Sequence, residues 1–127
     1  MIIGIGCDVV NHRTTKLLKW ETDIDLLKRF FSPKELNLYS TQKKLKFLAG
    51  RFAAKEAVLK CLGTGMQDGI SLTQIQILET NYSQPEIKLI GKPKKISDNL
   101  GIVVWHVSIS HSIHYSMAFV IAEGIKK

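Results

Sequence analysis

The chain has 127 residues, 45% hydrophobic and 23% charged, the size and balance of one soluble domain expected to span 1–127. That composition excludes disorder as the main state. The apolar start, Met1 to Val10, is too short to cross a bilayer and carries Asp8, which excludes a membrane-spanning chain as well. Eighteen basic against eleven acidic residues leave a net charge of +7. Such a charge suits an anionic partner (nucleic acid, an acidic protein, a phosphorylated small molecule or a membrane surface) and serves solubility equally well.

Ile2 to Asp8 alternates, with Ile3, Ile5 and Cys7 on one face and Gly4, Gly6 and Asp8 on the other, which predicts a strand. Two glycines in a strand call for close approach by another backbone or by a ligand. Asn11 to Phe31 is basic and amphipathic and breaks near Glu21–Asp25, giving two short helices. Ser32-Pro33-Lys34-Glu35 is a helix start: Ser32 caps, Pro33 suits the first helical position and Glu35 closes a capping box. Gln42 to Leu62 reads as the long helix, with Gly50 its one weak interior residue and Gly63-Thr64-Gly65 its end.

Shorter elements follow. Leu72 to Leu78 and Glu86 to Ile90 read as strands, and Pro93 to Leu100 as a short helix. Val103 to Ser110 and Tyr115 to Glu123 read as a hairpin. Helices gather early and strands late, so the expected class is α+β, with a long central helix packed on a small, mainly antiparallel sheet. Cys7 and Cys61 lie far apart, without zinc spacing, and read as small buried thiols. No basic segment precedes the apolar start, so a cytosolic address is expected.

Three places could carry chemistry. Glu56 falls within about 40° of Phe52, Ala49 and Leu45 on a helical wheel and so on the apolar face. A buried carboxylate there needs Lys60 one turn on, a metal, or a raised pKa. Asp8 ends its strand beside the glycines, either as a ligand position or as a simple terminator and cap. Two carboxylates with oxygen-only chemistry suit Mg2+. Ser108-Ile109-Ser110-His111-Ser112-Ile113-His114 forms the hairpin tip, with Ser108 and Ser110 on the face opposite Val107 and Ile109. It lacks the nucleophile elbow of a hydrolase and the helical Glu of a zinc protease. The glycines at 63, 65 and 69 follow Lys60 instead of preceding it, the wrong order for a phosphate loop of the Walker type.

Taken together these segments resemble a known family. Gly4-Ile5-Gly6-Cys7-Asp8-Val9-Val10 is one match. Gly50-Arg51-Phe52-Ala53-Ala54-Lys55-Glu56-Ala57-Val58-Leu59-Lys60, running into Leu62-Gly63-Thr64-Gly65, is the second and most specific. Trp105-His106-Val107-Ser108-Ile109-Ser110-His111, with Ala118 to Glu123 after it, is the third. The chain resembles the small bacterial-type 4′-phosphopantetheinyl transferases, the holo-[acyl-carrier-protein] synthases, over essentially its whole length.

The resemblance implies that 4′-phosphopantetheine passes from coenzyme A to a serine of acyl carrier protein in fatty acid biosynthesis. It implies Asp8 and Glu56 as Mg2+ ligands, Lys60 as the active-site lysine and His111 as the histidine of the Ser-x-Ser-His segment. It further implies Arg51, Gly65, Pro85 and Ser110 along the coenzyme A cleft, and a homotrimer with sites at subunit interfaces. On this reading the glycine face beside Asp8 leaves room for metal and pyrophosphate. Arg13, Lys16, Lys19, Lys28 and Arg29, on the first two helices, would steer the acidic carrier. Many members carry an acidic residue and then Arg where this chain has Asn11 and Thr14; its own basic residue is Arg13. No nucleic acid or membrane partner is expected. The rivals are the same chemistry on a polyketide or peptide-synthetase carrier, a basic nucleic-acid-binding module, and a catalytically dead homologue, against which the intact Asp8, Glu56, Lys60 and His111 set speaks.

Overall fold

A computed structural model describes residues 1–65 and 68–125. The order of elements is β1 (Ile2–Asn11), α1 (His12–Leu17), α2 (Ile24–Phe30), α3 (Pro33–Gln42), α4 (Leu45–Leu62), a 3-10 turn (Leu72–Gln74), β2 (Ile75–Glu79), β3 (Pro85–Leu89), α5 (Gly91–Leu100), β4 (Ile102–His111) and β5 (Tyr115–Gly124). The expected α+β class holds. The strands form two antiparallel sheets, one of three strands in the order β1-β5-β4 and one of two, β2-β3.

Helix α4 lies across the three-stranded sheet and is buried nearly all round: Leu48, Ala49, Ala53, Ala54, Ala57 and Val58 are closed to solvent. Ala53, Ala54, Ala57 and Val58 share one core with Ala118, Val120 and Ala122 from the inner face of β5. Small residues on both sides let helix and sheet approach closely. The two glycines of β1 serve this contact. A Cβ at Gly4 would come within 2.6 Å of the Cys61 carbonyl oxygen, and one at Gly6 would overlap the Ala57 carbonyl. The space expected there for metal and pyrophosphate is filled by the α4 backbone. The opposite face of β1 is bare, with Ile5 and Val9 more than half exposed. Cys7, expected buried, is exposed there too, while Cys61 is buried.

The expected helix from Gln42 is two helices. Ser32 caps α3 in a full capping box with Glu35, and the helix ends at Lys43 in the left-handed region, φ 51°. Gln42 therefore closes α3, and α4 begins at Leu45. Neither Gly nor Pro marks that break, so local chemistry gave no stop signal. At the far end Gly63 does mark one, with φ 70° and its N–H donating to the carbonyls of Leu59 and Lys60. A second core gathers Trp20, Leu27, Phe31, Phe47 and Leu48 beneath α1 and α2. Lys19, expected on a helix, lies beyond the end of α1 with φ 57°.

Candidate active site

Asp8 sits on the helix-facing side of β1, opposite Ala118 of β5. Along the second half of α4 the least buried line runs Phe52, Glu56, Lys60. Glu56 is thus not on the sealed apolar face, as its wheel position suggested, but half-open beside Asp8. Packing of α4 on both sides moves the true interior to the residues around it. Lys60 does not pair with Glu56. Its Nζ donates to the Cys7 carbonyl at 2.7 Å and approaches Asp8 Oδ1 at 3.5 Å. Burial, then the neighbouring Asp8 charge, push the Glu56 carboxyl above its usual range, and Lys60 only partly opposes them. Two carboxylates are left crowded at one corner with one exposed cation.

The second group lies toward the other end of α4. A cleft of about 570 Å³ opens where the β2–β3 hairpin meets β4, and Arg51, Glu79, Pro85, Ser108 and His111 are among its lining. Arg51 is anchored twice: its guanidinium lies 3.9 Å over the Phe47 ring, and Nη2 donates to Glu79 Oε1 at 3.3 Å. Its Nε is buried without a partner among the described residues. His111 ends β4, and its ring rests on Gly50, where a Cβ would come 2.7 Å from its Cε1. The weak helix residue is therefore the seat of the histidine. Nδ1 of His111 lies 2.7 Å from Ser116 Oγ. Burial, with the charges of Lys46 and Arg51, holds the ring below the usual histidine range, which favours the neutral imidazole.

Comparison with known proteins decides the family. The sequence profile of the 4′-phosphopantetheinyl transferase superfamily matches residues 4–118. The holo-[acyl-carrier-protein] synthase of Hydrogenovibrio crunogenus is 43% identical over 125 residues, covering 98% of this chain and 98% of the relative. The chain belongs to the 4′-phosphopantetheinyl transferase superfamily.

Solved structures agree with that membership. The holo-[acyl-carrier-protein] synthase of Neisseria meningitidis superposes with a TM-score of 0.86 at 34% identity, covering 97% of this chain and 99% of the other. That of Helicobacter pylori, in complex with coenzyme A, superposes at 0.81 with 31% identity, covering 94% and 99%.

Within this transferase fold the expected site residues do not converge in one chain. Asp8, Glu56 and Lys60 form one corner, while Arg51, Pro85 and His111 line the cleft. Ser110 points to the outer face of the sheet, in a smaller hollow of about 170 Å³ with Val9, Tyr115 and Met117 that His111 also borders. Gly65 lies past the end of α4, where its N–H donates to Asp68 Oδ2 at 3.0 Å. Arg13, Lys16, Lys19, Lys28 and Arg29 are all exposed, and Asn11 is the N-cap of α1.

Sequence reading passed over the most buried ion pair. Lys55 is closed to solvent and donates to Glu35 Oε1 at 2.7 Å and to the carbonyls of Leu72 and Ile75. A lysine within the apolar run Ala53-Ala54-Lys55 was the available signal. The partnership of Ser116 with His111 and His12 left no such signal.

Proposed function

We propose that this single domain, residues 1–127, transfers 4′-phosphopantetheine from coenzyme A to a serine of apo acyl carrier protein, releasing adenosine 3′,5′-bisphosphate. The reading is carried by the corner at which α4 brings Glu56 and Lys60 against Asp8, in a chain similar to holo-[acyl-carrier-protein] synthases over nearly its whole length. Two crowded carboxylates, one with a raised pKa and no hydrogen-bond partner among the described residues, fit a divalent cation. No cluster of three or more His, Cys, Asp or Glu occurs among the described residues. Mg2+ suits such a pair, since it takes few carboxylates and completes its shell with water and phosphate. Asp8 and Glu56 would hold that ion, which when bound supplies charge neutralisation at the phosphoryl group under attack.

The rest falls to side chains. The carrier serine oxygen forms a bond to the phosphorus bearing pantetheine. The bond from that phosphorus to the oxygen of adenosine bisphosphate breaks, and the serine proton leaves to base. Lys60, held by Cys7 and Asp8, sets positive charge beside the pyrophosphate; Arg51, Gly65, Pro85 and Ser110 bind the nucleotide end. His111 faces the same phosphates from the other group.

A homotrimer accounts for the scattered site. The outer face of the sheet leaves Ile5, Val9, Met117 and Phe119 exposed, and burying such a face against a second copy stabilises both. A shared interface would let the corner of one subunit meet the cleft of another. Exposed Arg13, Lys16, Lys19, Lys28 and Arg29 steer the acidic carrier of fatty acid biosynthesis. A cytoplasmic address suits a protein with two unpaired cysteines, and no described helix is long and apolar enough to cross a membrane.

The test is to incubate the protein with coenzyme A, Mg2+ and apo acyl carrier protein and to weigh the carrier. A gain of one phosphopantetheine, blocked by EDTA, is the expected result. No gain, with coenzyme A bound, would move the activity to another carrier; no gain and no binding would end this reading.

A further inference from the structure

Ser116 is closed to solvent, and its hydroxyl lies between two imidazoles: His12 Nε2 at 2.7 Å and His111 Nδ1 at 2.7 Å. The other nitrogen of His12, Nδ1, is 3.1 Å from the Ile113 carbonyl. These contacts fix every proton once one direction is known. A carbonyl only accepts, so His12 Nδ1 carries hydrogen and donates to Ile113. A single N–H on the His12 ring, placed on Nδ1, leaves Nε2 an acceptor that takes the Ser116 hydroxyl proton. Ser116 Oγ has no second proton to give, so it accepts from His111, whose hydrogen must sit on Nδ1. Nε2 of His111 is left bare, with no hydrogen bond among the described residues.

We propose that His12 and Ser116 are positioning residues that hold His111 as its Nδ1–H tautomer, so that Nε2 alone exchanges protons and hydrogen bonds with a ligand in the cleft. An imidazole in water favours the opposite tautomer, so the arrangement needs a built partner on Nδ1. Here the partner is prepared two residues deep. The backbone makes the geometry rigid: His111 and Ser116 face each other across the β4–β5 ladder, and the His12 N–H donates to the His114 carbonyl at 2.8 Å. That bond pins the first turn of α1 to the hairpin tip.

The consequence concerns how His111 meets phosphate. The neutral ring offers the cleft a lone pair and cannot donate. It takes a proton at Nε2 from a bound hydroxyl or from solvent, becomes the imidazolium, and only then donates to a phosphate oxygen. The Nδ1–H bond to Ser116 stays in place throughout. This inference rests on the proposed transferase role of His111, but its test separates the two.

The protein is labelled with 15N-histidine, and the ring nitrogens of His12 and His111 are assigned by single substitutions in spectra of the assembled, folded protein. His111 should carry its proton on Nδ1 in the unmodified chain. His12→Phe keeps the ring's shape but removes the acceptor. Ser116 should then turn its hydroxyl to His111, and the His111 proton should move to Nε2, although residue 12 does not line the cleft. Ser116→Ala, which deletes one oxygen, should likewise release the Nδ1–H preference. Both should lower kcat for carrier modification about tenfold to a hundredfold, with the coenzyme A KM within about twofold. An Nε2–H ring in the unmodified protein overturns the inference, as does a loss of kcat in both variants with the tautomer unmoved, which would mark a structural role only. Full transfer by His111→Ala, alongside the Nδ1–H pattern in the unmodified chain, would instead remove His111 from the proposed function and leave the relay standing.

Discussion

Lys55 and Glu56 are neighbours on α4 with opposite fates. A turn of about 100° separates them, and that turn carries Lys55 into the interior and leaves Glu56 on the half-open line facing Asp8. The lysine is fully sealed and fully partnered: Glu35 accepts from it, and in turn accepts from the Ser32 and Ile77 N–H groups. The glutamate is half-sealed and unpartnered, crowded by a like charge. The more deeply buried charge is structural because all its partners belong to the chain. The less buried one, without a hydrogen bond among the described residues, is the one proposed to hold a cation. Burial alone did not distinguish them; completion of the hydrogen bonds did.

Breaking each member should therefore give opposite kinds of damage. Glu56→Gln keeps the shape and removes the charge. Transfer to the carrier should fall at least about a thousandfold, with the thermal midpoint unchanged or raised; normal turnover would remove the metal role. Lys55→Met should do the reverse. It leaves the Glu35 carboxylate buried without its cation, and urea unfolding should show a loss of about 3–5 kcal/mol. If that variant were as stable as the parent, the buried pair would have no structural weight.

Lys60→Ala sharpens the contrast from the exposed side. Its contact with Asp8 is 3.5 Å with the lysine side chain 55% exposed, so stability should change by less than about 1 kcal/mol. Transfer should still fall about tenfold to a hundredfold, because the role proposed for that charge is on the phosphates. Single charge reversals at Arg13, Lys16, Lys19, Lys28 or Arg29 should raise the carrier KM about two- to fivefold each, with a steep salt dependence and no change in the coenzyme A KM. A flat salt response would take docking away from these residues.

The smallest effect concerns pH. The folded His111 ring sits below its unfolded value, chiefly through burial and the charges of Lys46 and Arg51. The unfolded chain thus binds more protons in this window. Stability from this group is complete above about pH 6.5 and declines as pH falls through the lowered value. His111→Gln should flatten that part of the stability curve below about pH 6.5; an unchanged slope would contradict the assignment.

Much of this was legible along the chain. The Ser32–Glu35 capping box, the Gly63 stop and the outward Ser108 and Ser110 all follow from local rules, and each appears as expected. The break at Lys43 was hidden because a left-handed lysine carries no sequence mark. The glycines of β1 were read as close approach by another backbone or by a ligand, and the docking of α4 on that face shows that it is the backbone. Glu56 was found for its chemistry and misplaced in its burial, since a wheel assumes one apolar face and α4 has nearly two.

The sequence by itself determined the α+β class, the succession of elements and the chemical inventory: two carboxylates, a lysine, a histidine and a basic surface. Those depend on residue type, spacing and caps, which are local. Only the tertiary structure decided which charges are satisfied. Lys60 turns to Asp8 and away from Glu56, Glu35 reaches Lys55 across twenty residues, and Ser116 stands between His12 and His111. Hydrogen bonds of that kind join atoms far apart in the chain, and short-range pattern holds no record of them until the helix has docked on the sheet.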